Sequence, residues 1–198
     1  MEKRIILASA SPQRRQLLSL LFPRFEIRPT ETDETLRSRN PKRETARLSR
    51  LKATAAAEAA GGSPEILIIA ADTLVAARGR LLGKPASREQ AAEMLDLLAG
   101  RPHRVVTGFT LQCGDKRITQ TVSTRIFMTA LTPEWKERYL DTNEWKGAAG
   151  GYRIQNSGEW LFKKMNGSYS NVVGLPMAQL RTAIDRFFPS FLSLPPEE

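Results

Sequence analysis

The sequence predicts an α/β protein whose mixed, twisted sheet is flanked by helices. Residues 66–71 form a continuous apolar run, which is typical of a buried central strand. Residues 104–112 and 116–128 are rich in β-branched side chains and are separated by Gly114-Asp115, a pattern typical of an antiparallel hairpin. Because segments with helical periodicity separate these strands, the sheet should combine parallel crossovers with antiparallel hairpins.

Before the central strand, the apolar pattern predicts two strands and two helices. In chain order they are a strand over residues 4–8, a helix that begins at Pro12, a short strand over 25–28 and an alanine-rich helix over about 44–59. Proline suits the first helical position because its missing N–H would have no partner there. We expect the first helix to turn four residues toward the core: Leu17, Leu18, Leu20 and Leu21. The polar segment through Asp33 and Glu34 predicts a loop.

After the central strand, the pattern predicts a further hairpin, three helices and one more strand. In order they are a hairpin over 74–82 turning at Arg78-Gly79, a helix after Ser87, a helix from Thr132-Pro133 through Leu140, a strand over 160–163 and a last helix from Pro176. Ser87 and Gln90 form a capping box. Residues 147–158 are glycine-rich and irregular. No repeat or linker divides the chain, so we expect one domain over residues 1–190 and a poorly ordered tail over 191–198.

Composition and charge narrow the class of protein. The chain has 198 residues and a formal net charge of +9, and its first 54 residues hold 13 Lys and Arg against 6 Asp and Glu. This excess of positive charge suits a localised phosphate site. A surface that binds single-stranded nucleic acid would also need aromatic residues between the basic ones, and no aromatic residues interleave with this basic run. The lone cysteine, Cys113, fits a reducing compartment, and no apolar run reaches the length of a membrane span. We therefore expect a cytoplasmic enzyme with a small-molecule ligand, without a membrane or nucleic-acid partner.

The segment from Ser9 to Arg15 is a strand-to-helix loop that suits a phosphate. Hydroxyls of Ser9 and Ser11 and free backbone N–H groups meet there at a helix N-terminus, where the helix dipole favours an anion. Arg14 or Arg15 could add a bidentate contact. Ordinary helix capping with exposed arginines explains the same residues equally well.

Lys52 and Asp72 are charged residues placed where the fold predicts burial. Lys52 shares a helical stripe with Leu48, Leu51 and Ala55, so its ammonium needs an anionic partner or a route to the stripe's edge. Asp72 follows the central strand at its carboxyl end, where α/β sheets bind ligands, and could act as a base, hold a metal or cap the turn.

Other motifs carry less information. Residues 79–85 differ from a Walker A loop because three residues, not four, separate the glycines and Pro85 follows Lys84, although Lys84 could still reach a phosphate. No zinc-type cluster is present, and His103 is expected to be structural. Ser170 and Asn171 precede the last helix and could cap it or bind a ligand.

Eight strings in register resemble the Maf family. They are LASASPQRR, DETL, RLKA, ADTLV, LGKPAS, the Gly100 to Gly108 run, GYRIQ and NGSYSNVVGLP, spanning about residues 5–188. The resemblance implies an elongated, two-lobed fold around a central cleft, similar in architecture to inosine-triphosphate pyrophosphatases. It also implies a metal-dependent enzyme that hydrolyses nucleoside triphosphates to monophosphates and pyrophosphate.

The resemblance assigns roles to individual residues. It implies Asp72 as the proton acceptor, and Glu34 and Asp72 as ligands of Mg²⁺ or Mn²⁺. It implies phosphate contacts from five residues: Ser9, Ser11, Arg14, Lys52 and Lys84. A small-molecule nucleoside triphosphate is the implied partner, and the monomer and the homodimer both stay open.

Three positions bear on the choice of base. Thr73 and Gln155 match the branch of the family that resembles dTTP/UTP pyrophosphatases, whereas Gln13 matches neither that branch nor the 7-methyl-GTP branch. Arg153 and Asn156 replace glycines of the family pattern. The alternatives are therefore a pyrophosphatase for 7-methyl-GTP or another modified nucleotide, and a non-catalytic regulator of septum formation.

Overall fold

A computed structural model describes residues 3–192 of the chain. Within them, seven strands form one sheet in the order β2-β1-β3-β5-β6-β7, with β4 paired to β3. The strands are β1 (Arg4–Leu7), β2 (Glu26–Ile27), β3 (Ile66–Ala77), β4 (Arg80–Leu82), β5 (Pro102–Cys113), β6 (Lys116–Met128) and β7 (Phe162–Asn166). Strand β1 runs parallel to β2 and β3, and the other pairs are antiparallel. The predicted mixed α/β class is confirmed.

Most of the helices begin directly after a residue whose side chain caps them. They are α1 (Pro12–Ser19), α2 (Pro41–Ala59), α3 (Arg88–Leu98), α4 (Pro133–Asp141), α5 (Tyr169–Val173) and α6 (Met177–Phe187), with 3-10 turns at Ala149–Gly151, Asn156–Leu161 and Pro189–Phe191. Ser11, Asn40, Ser87 and Thr132 each accept a backbone N–H of the helix that follows. Helix α2 starts at Pro41, three residues before the predicted position, because Asn40 caps it.

Two apolar clusters lie one after the other on the same face of β3, with a gap between them. Leu67, Ile69 and Ala71 pack in the cluster that includes α1 and α6. Val75 and Ala77 pack in the cluster that includes α3 and α4. Side chains two residues apart on a strand share a face, so Thr73 lies between the two clusters. A cleft between two packed regions agrees with the expectation from sequence.

Helix α2 covers the opposite face of the sheet at close range. Its Ala53 and Ala56 pack against Ile6, Ile68 and Ala70. Gly108 of β5 permits the approach, because a Cβ there would lie 2.5 Å from the carbonyl oxygen of Thr45. Asp72 is the register partner of Gly108, so the same approach brings α2 over the middle of β3.

Several predicted positions are wrong. Strand β3 continues to Ala77, so Asp72 lies in mid-strand and does not cap a turn. Leu20 is 78% exposed, because α1 ends at Ser19 and Leu20 lies past it. Phe191, expected in the tail, is buried against the α6 cluster. Residues 193–198 of that tail lie outside the described residues.

Candidate active site

A cavity of about 570 Å³ lies beside the loop that joins β1 to α1, and Val75 and Val105 of one apolar cluster line part of its wall. The ten residues to which the family resemblance assigns a catalytic, phosphate, metal or specificity role all line this cavity: Ser9, Ser11, Gln13, Arg14, Glu34, Lys52, Asp72, Thr73, Lys84 and Gln155. They come from six separate stretches of the chain. Arg15, the alternative to Arg14, is exposed and does not line the cavity.

Lys52 forms the charged centre of the site. Its Nζ lies 2.6 Å from Oδ1 of Asp72 and 2.9 Å from Oε1 of Glu34. Lys52 is 7% exposed and Asp72 is 6% exposed, whereas the Glu34 side chain is half exposed. The buried ammonium predicted from the helical stripe is thus present and has anionic partners, although Leu51 of that stripe is itself exposed.

The charges around Glu34 act on its pKa in opposite directions. Partial burial alone would raise it, but the hydrogen bond and charge of Lys52, with the charges of Lys84 and Arg14, lower the pKa of Glu34 below its usual value. Glu34 is therefore ionised at neutral pH. Lys84 and Arg14 lie close enough to act on the same carboxylate.

The donor set fits a hard divalent cation. Two carboxylate oxygens, one from Glu34 and one from Asp72, converge on a single position that the Lys52 ammonium holds. Mg²⁺ and Mn²⁺ favour such oxygens and commonly take one or two carboxylates together with substrate phosphates. The described residues contain no group of three or more histidine, cysteine or carboxylate side chains that could hold a metal alone.

The Ser9 loop is organised by its own hydroxyls. The Ser11 hydroxyl accepts a hydrogen bond from the Arg14 backbone N–H at 3.4 Å and so caps α1. Ser9 Oγ accepts from the Ser11 backbone N–H at 3.3 Å. Helix capping and phosphate binding are therefore compatible, because Ser11 caps α1 while the loop faces the cavity.

The Arg14 guanidinium is held by three protein acceptors. Nε donates to the Gly174 carbonyl at 2.9 Å, Nη1 to Ser9 Oγ at 3.1 Å and Nη2 to Thr73 Oγ1 at 3.0 Å. Burial lowers the pKa of Arg14, while the carboxylates of Asp72 and Glu34 act to raise it. Arg14 thus joins α1, β3 and the turn before α6 while it faces the cavity.

Sequence reasoning missed the polar chain behind Arg14. Thr73 Oγ1 lies 3.0 Å from Thr107 Oγ1, and the Thr107 hydroxyl donates to the Asn171 carbonyl at 2.9 Å. Buried Asn171 donates from Nδ2 to the Val105 carbonyl and to Thr124 Oγ1. Asn171 does not line the cavity; its buried side chain instead links β5 and β6. Ser170 Oγ accepts the Met177 N–H and so caps α6.

The glycine-rich segment forms the opposite end of the cavity. Gly150 contacts Val75, which lies three residues along β3 from Asp72, or roughly 10 Å at the usual strand rise. Behind this segment, buried His103 Nε2 lies 2.6 Å from the Tyr152 hydroxyl. His103 is structural, as predicted from sequence.

Arg153 and Asn156, the replacements of family glycines, are accommodated in different ways. The Arg153 guanidinium donates to the Lys146 carbonyl at 2.8 Å, and the residue lines the cavity. Asn156 has a φ of 53°, a left-handed conformation that asparagine tolerates better than most residues. Neither replacement therefore disrupts the segment.

Together, a capped strand-to-helix loop, clustered cations and two converging carboxylates line one cavity, and this chemistry suits a polyanionic ligand that carries a divalent cation. A family model described as Maf-like protein matches residues 4–187. The chain belongs to this family.

Relatives from distant organisms match nearly the whole chain. A dTTP/UTP pyrophosphatase of Carboxydothermus hydrogenoformans is 44% identical, over 89% of this chain and 95% of the relative. Another, from Pyrococcus furiosus, is 40% identical over 88% and 90%. A third, from Bacillus velezensis, is 39% identical over 94% and 98%.

Likeness to solved structures is more remote. A dITP/XTP pyrophosphatase from Mycobacterium abscessus has 14% identity and a TM-score of 0.47, over 95% of this chain and 96% of that one. Separately, no helix within residues 3–192 is long and apolar enough to cross a membrane.

Proposed function

We propose that this chain hydrolyses nucleoside triphosphates to nucleoside monophosphates and pyrophosphate, with dTTP and UTP as preferred substrates. The observation that carries this proposal is the buried Lys52 between Asp72 and Glu34, in a cavity that also holds the Ser9 loop. The dTTP/UTP pyrophosphatases that match most of this chain support the substrate class. Thr73 and Gln155 line the cavity and support the pyrimidine preference.

In the proposed reaction, Asp72 accepts a proton from a water that attacks the α-phosphorus. A bond forms between the water oxygen and the α-phosphorus, the bond to the α,β-bridging oxygen breaks, and pyrophosphate leaves with that electron pair. Lys52 and Lys84 supply positive charge that offsets the charge developing on the phosphates. Ser9 and Ser11 orient the phosphates, and Arg14 holds the loop against Thr73 while it adds charge at the cavity wall.

Glu34 and Asp72 are the residues that would hold Mg²⁺ or Mn²⁺. The bound cation would neutralise phosphate charge and polarise the α-phosphoryl group. A cation held by these carboxylates would replace the Lys52 ammonium as their counterion, and the N–H donors of Lys52 would then be available to the phosphates. The proposed partner is a free cytoplasmic nucleotide, and free Cys113 is consistent with that compartment.

A panel of nucleotides with product identification tests the proposal. We expect dTMP or UMP plus pyrophosphate, only when Mg²⁺ or Mn²⁺ is added; nucleoside diphosphate plus phosphate would refute attack at the α-phosphorus. Turnover of 7-methyl-GTP in preference to dTTP and UTP would favour the alternative substrate. Salt-sensitive DNA binding without any turnover would favour the non-catalytic alternative.

The variant Asp72→Asn tests the assigned base. Loss of a general base commonly lowers the rate by about 10²- to 10⁴-fold, so kcat should fall by that amount while the fold is kept. Asp115→Asn, in an exposed hairpin turn, is the matched control and should keep full activity. Full activity of Asp72→Asn would remove Asp72 from the mechanism.

A further inference from the structure

The segment that carries Glu34 has no regular secondary structure between β2 and α2. Glu34 lies near its middle and must reach inward to contact Lys52. A loop of this kind is mobile unless side chains hold its backbone in place. The Glu34 carboxylate therefore stays over the cavity only if other residues hold the backbone of its loop.

Two residues of α2 bind the backbone of this loop just after Glu34, at positions 35 and 37. Glu44 Oε1 accepts a hydrogen bond from the Arg37 backbone N–H at 3.0 Å. Arg47 Nη2 donates to the Thr35 carbonyl at 2.7 Å. Glu44 and Arg47 are also paired with each other, with Arg47 Nε 3.0 Å from Glu44 Oε1.

Glu44 is buried and Arg47 is partly buried, which distinguishes the pair from an ordinary surface ion pair. Glu44 is 0% exposed, and the Arg47 side chain is 19% exposed. Burial would raise the pKa of Glu44, but the hydrogen bond to Arg47, the Arg37 backbone N–H and the charges of both arginines lower it below its usual value. The carboxylate therefore stays ionised, with charge-assisted hydrogen bonds to the loop.

The loop adds its own hydrogen bonds to this attachment. Asp33 Oδ1 accepts from the Thr35 backbone N–H at 2.9 Å, and Asp33 Oδ2 accepts from the Arg37 guanidinium at 2.8 Å. Residues 33–37 therefore form a small folded unit around Glu34. Glu44 and Arg47 fix this unit to α2, the helix that also carries Lys52.

We propose that Glu44 and Arg47 are positioning residues that hold the Glu34 carboxylate over Lys52 and Asp72. They touch neither Lys52 nor Asp72 themselves, and they act through the Thr35 and Arg37 backbone. Only the kinetic part of this inference rests on the proposed function. The structural part concerns the loop alone and is tested without nucleotide or metal.

The structural test is backbone hydrogen exchange in the metal-free chain. Arg47→Met removes charge-assisted hydrogen bonds, each of which corresponds to roughly tenfold or more in an equilibrium constant. Exchange over residues 33–37 should therefore accelerate by about tenfold, while β3 stays unchanged. Arg50→Met, an exposed arginine on the same helix, is the matched control and should leave the loop unchanged. Equal exchange over residues 33–37 in wild type and Arg47→Met would overturn the inference.

The kinetic test is a double-mutant cycle with Glu34→Gln. In wild type background, Arg47→Met should raise the Mn²⁺ concentration that gives half-maximal rate by roughly fivefold to tenfold, with a smaller change in kcat at saturating Mn²⁺. In the Glu34→Gln background, Arg47→Met should have no further effect on Mn²⁺ dependence. An equal effect in both backgrounds would mean that Arg47 does not act through Glu34.

A second variant tests the same inference if Arg47→Met alone fails to fold. Arg47→Met leaves Glu44 buried without its cation, which is costly. Glu44→Gln combined with Arg47→Met removes that charge and should reproduce both the faster exchange and the raised Mn²⁺ requirement. If this double variant folds and behaves as wild type in both measurements, the inference is wrong. If the wild-type protein does not hydrolyse nucleotides, the proposed function is refuted. The hydrogen-exchange result would still show whether Arg47 holds the loop.

Discussion

At the scale of single residues, the site depends on one lysine serving two carboxylates. Lys52 pairs with both Asp72 and Glu34, so neither carboxylate is left without a cation. A buried charge without such a partner costs several kcal/mol. The helical stripe alone predicted a buried ammonium, but the identity of its partners required the tertiary structure, because they lie 18 and 20 residues away in the chain.

Gln13 is the residue at which we expect the choice of base to be decided. It lines the cavity, and the Ser11 hydroxyl donates to its Oε1 at 3.3 Å. Gln13→Arg would replace an amide with a charged fork that can bind carbonyl oxygens of a pyrimidine. We expect the ratio of kcat/KM for dTTP over 7-methyl-GTP to rise by about tenfold, the value of one good added hydrogen bond. Arg15→Gln, outside the cavity, should leave the ratio unchanged, and an unchanged ratio in Gln13→Arg would contradict the assignment.

His103 makes stability depend on pH. Burial lowers the pKa of His103, the only histidine of the chain, to about 4 from an ordinary value of 6.5. As pH falls below 6.5, the unfolded chain binds a proton and the folded chain does not until about pH 4, so stability is lost across that window. The loss approaches roughly 3 kcal/mol at most.

Urea unfolding between pH 7 and 5 measures this effect. Wild type should lose stability as pH falls, and His103→Gln should show a flatter dependence because it has no imidazole to protonate. The carboxylates contribute to both proteins, so the difference between them isolates His103. Parallel curves for the two proteins would show that His103 does not carry the effect.

At the scale of elements, the close packing of α2 on β5 places the site. Gly108→Ala would put a Cβ 2.5 Å from the Thr45 carbonyl oxygen, and backbone cannot yield as a flexible side chain does. Overpacking of this kind costs about 1–3 kcal/mol. It should also move α2 away from β3, so that Lys52 separates from Asp72 and turnover falls.

Urea unfolding and kcat/KM of Gly108→Ala test this packing together. Gly83→Ala is the stability control, because a Cβ at Gly83 would meet nothing within 4 Å. We expect the control to stay within about 1 kcal/mol of wild type. A Gly108→Ala protein as stable and active as wild type would show that the helix can shift without consequence.

Local patterns predicted most elements, and long-range pairing accounts for the errors. The Ser87 cap and the Gly114-Asp115 hairpin depend on neighbouring residues, and both are confirmed, although Gln90 of the predicted capping box accepts the Ala86 N–H instead of the Ser87 N–H. The predicted end of the central strand was wrong, because β3 is extended beyond Asp72 by pairing with β5. The polar chain from Thr73 through Thr107 to Asn171 joins residues that no local pattern relates.

At the scale of the whole molecule, ligand binding should stabilise the fold, because residues far apart in the sequence, from Ala8 to Val173, line the cavity. A dTTP analogue with NH in place of the α,β-bridging oxygen binds without being cleaved at that bond. At 100 times its Kd, with Mg²⁺, it should add about 2.7 kcal/mol of stability. For a domain of this size, the shift in Tm is roughly 5–10 °C.

Thermal unfolding with three ligands measures this effect. The triphosphate analogue should raise Tm most, dTMP less, and thymidine least, because the cations of the cavity act on phosphate. Equal shifts for thymidine and the triphosphate analogue would place the binding energy on the base and contradict a phosphate site.

The three hydrogen bonds of Arg14 have a consequence for how the protein is made. One acceptor, the Gly174 carbonyl, is synthesised long after Ser9 and Thr73. During translation, the β1 strand and its loop leave the ribosome well before the turn that holds Arg14, and before α6, which completes the core around α1. We therefore expect Arg14 to gain its third acceptor, and α1 its packing partner, only after the segment from Gly174 through α6 has left the ribosome.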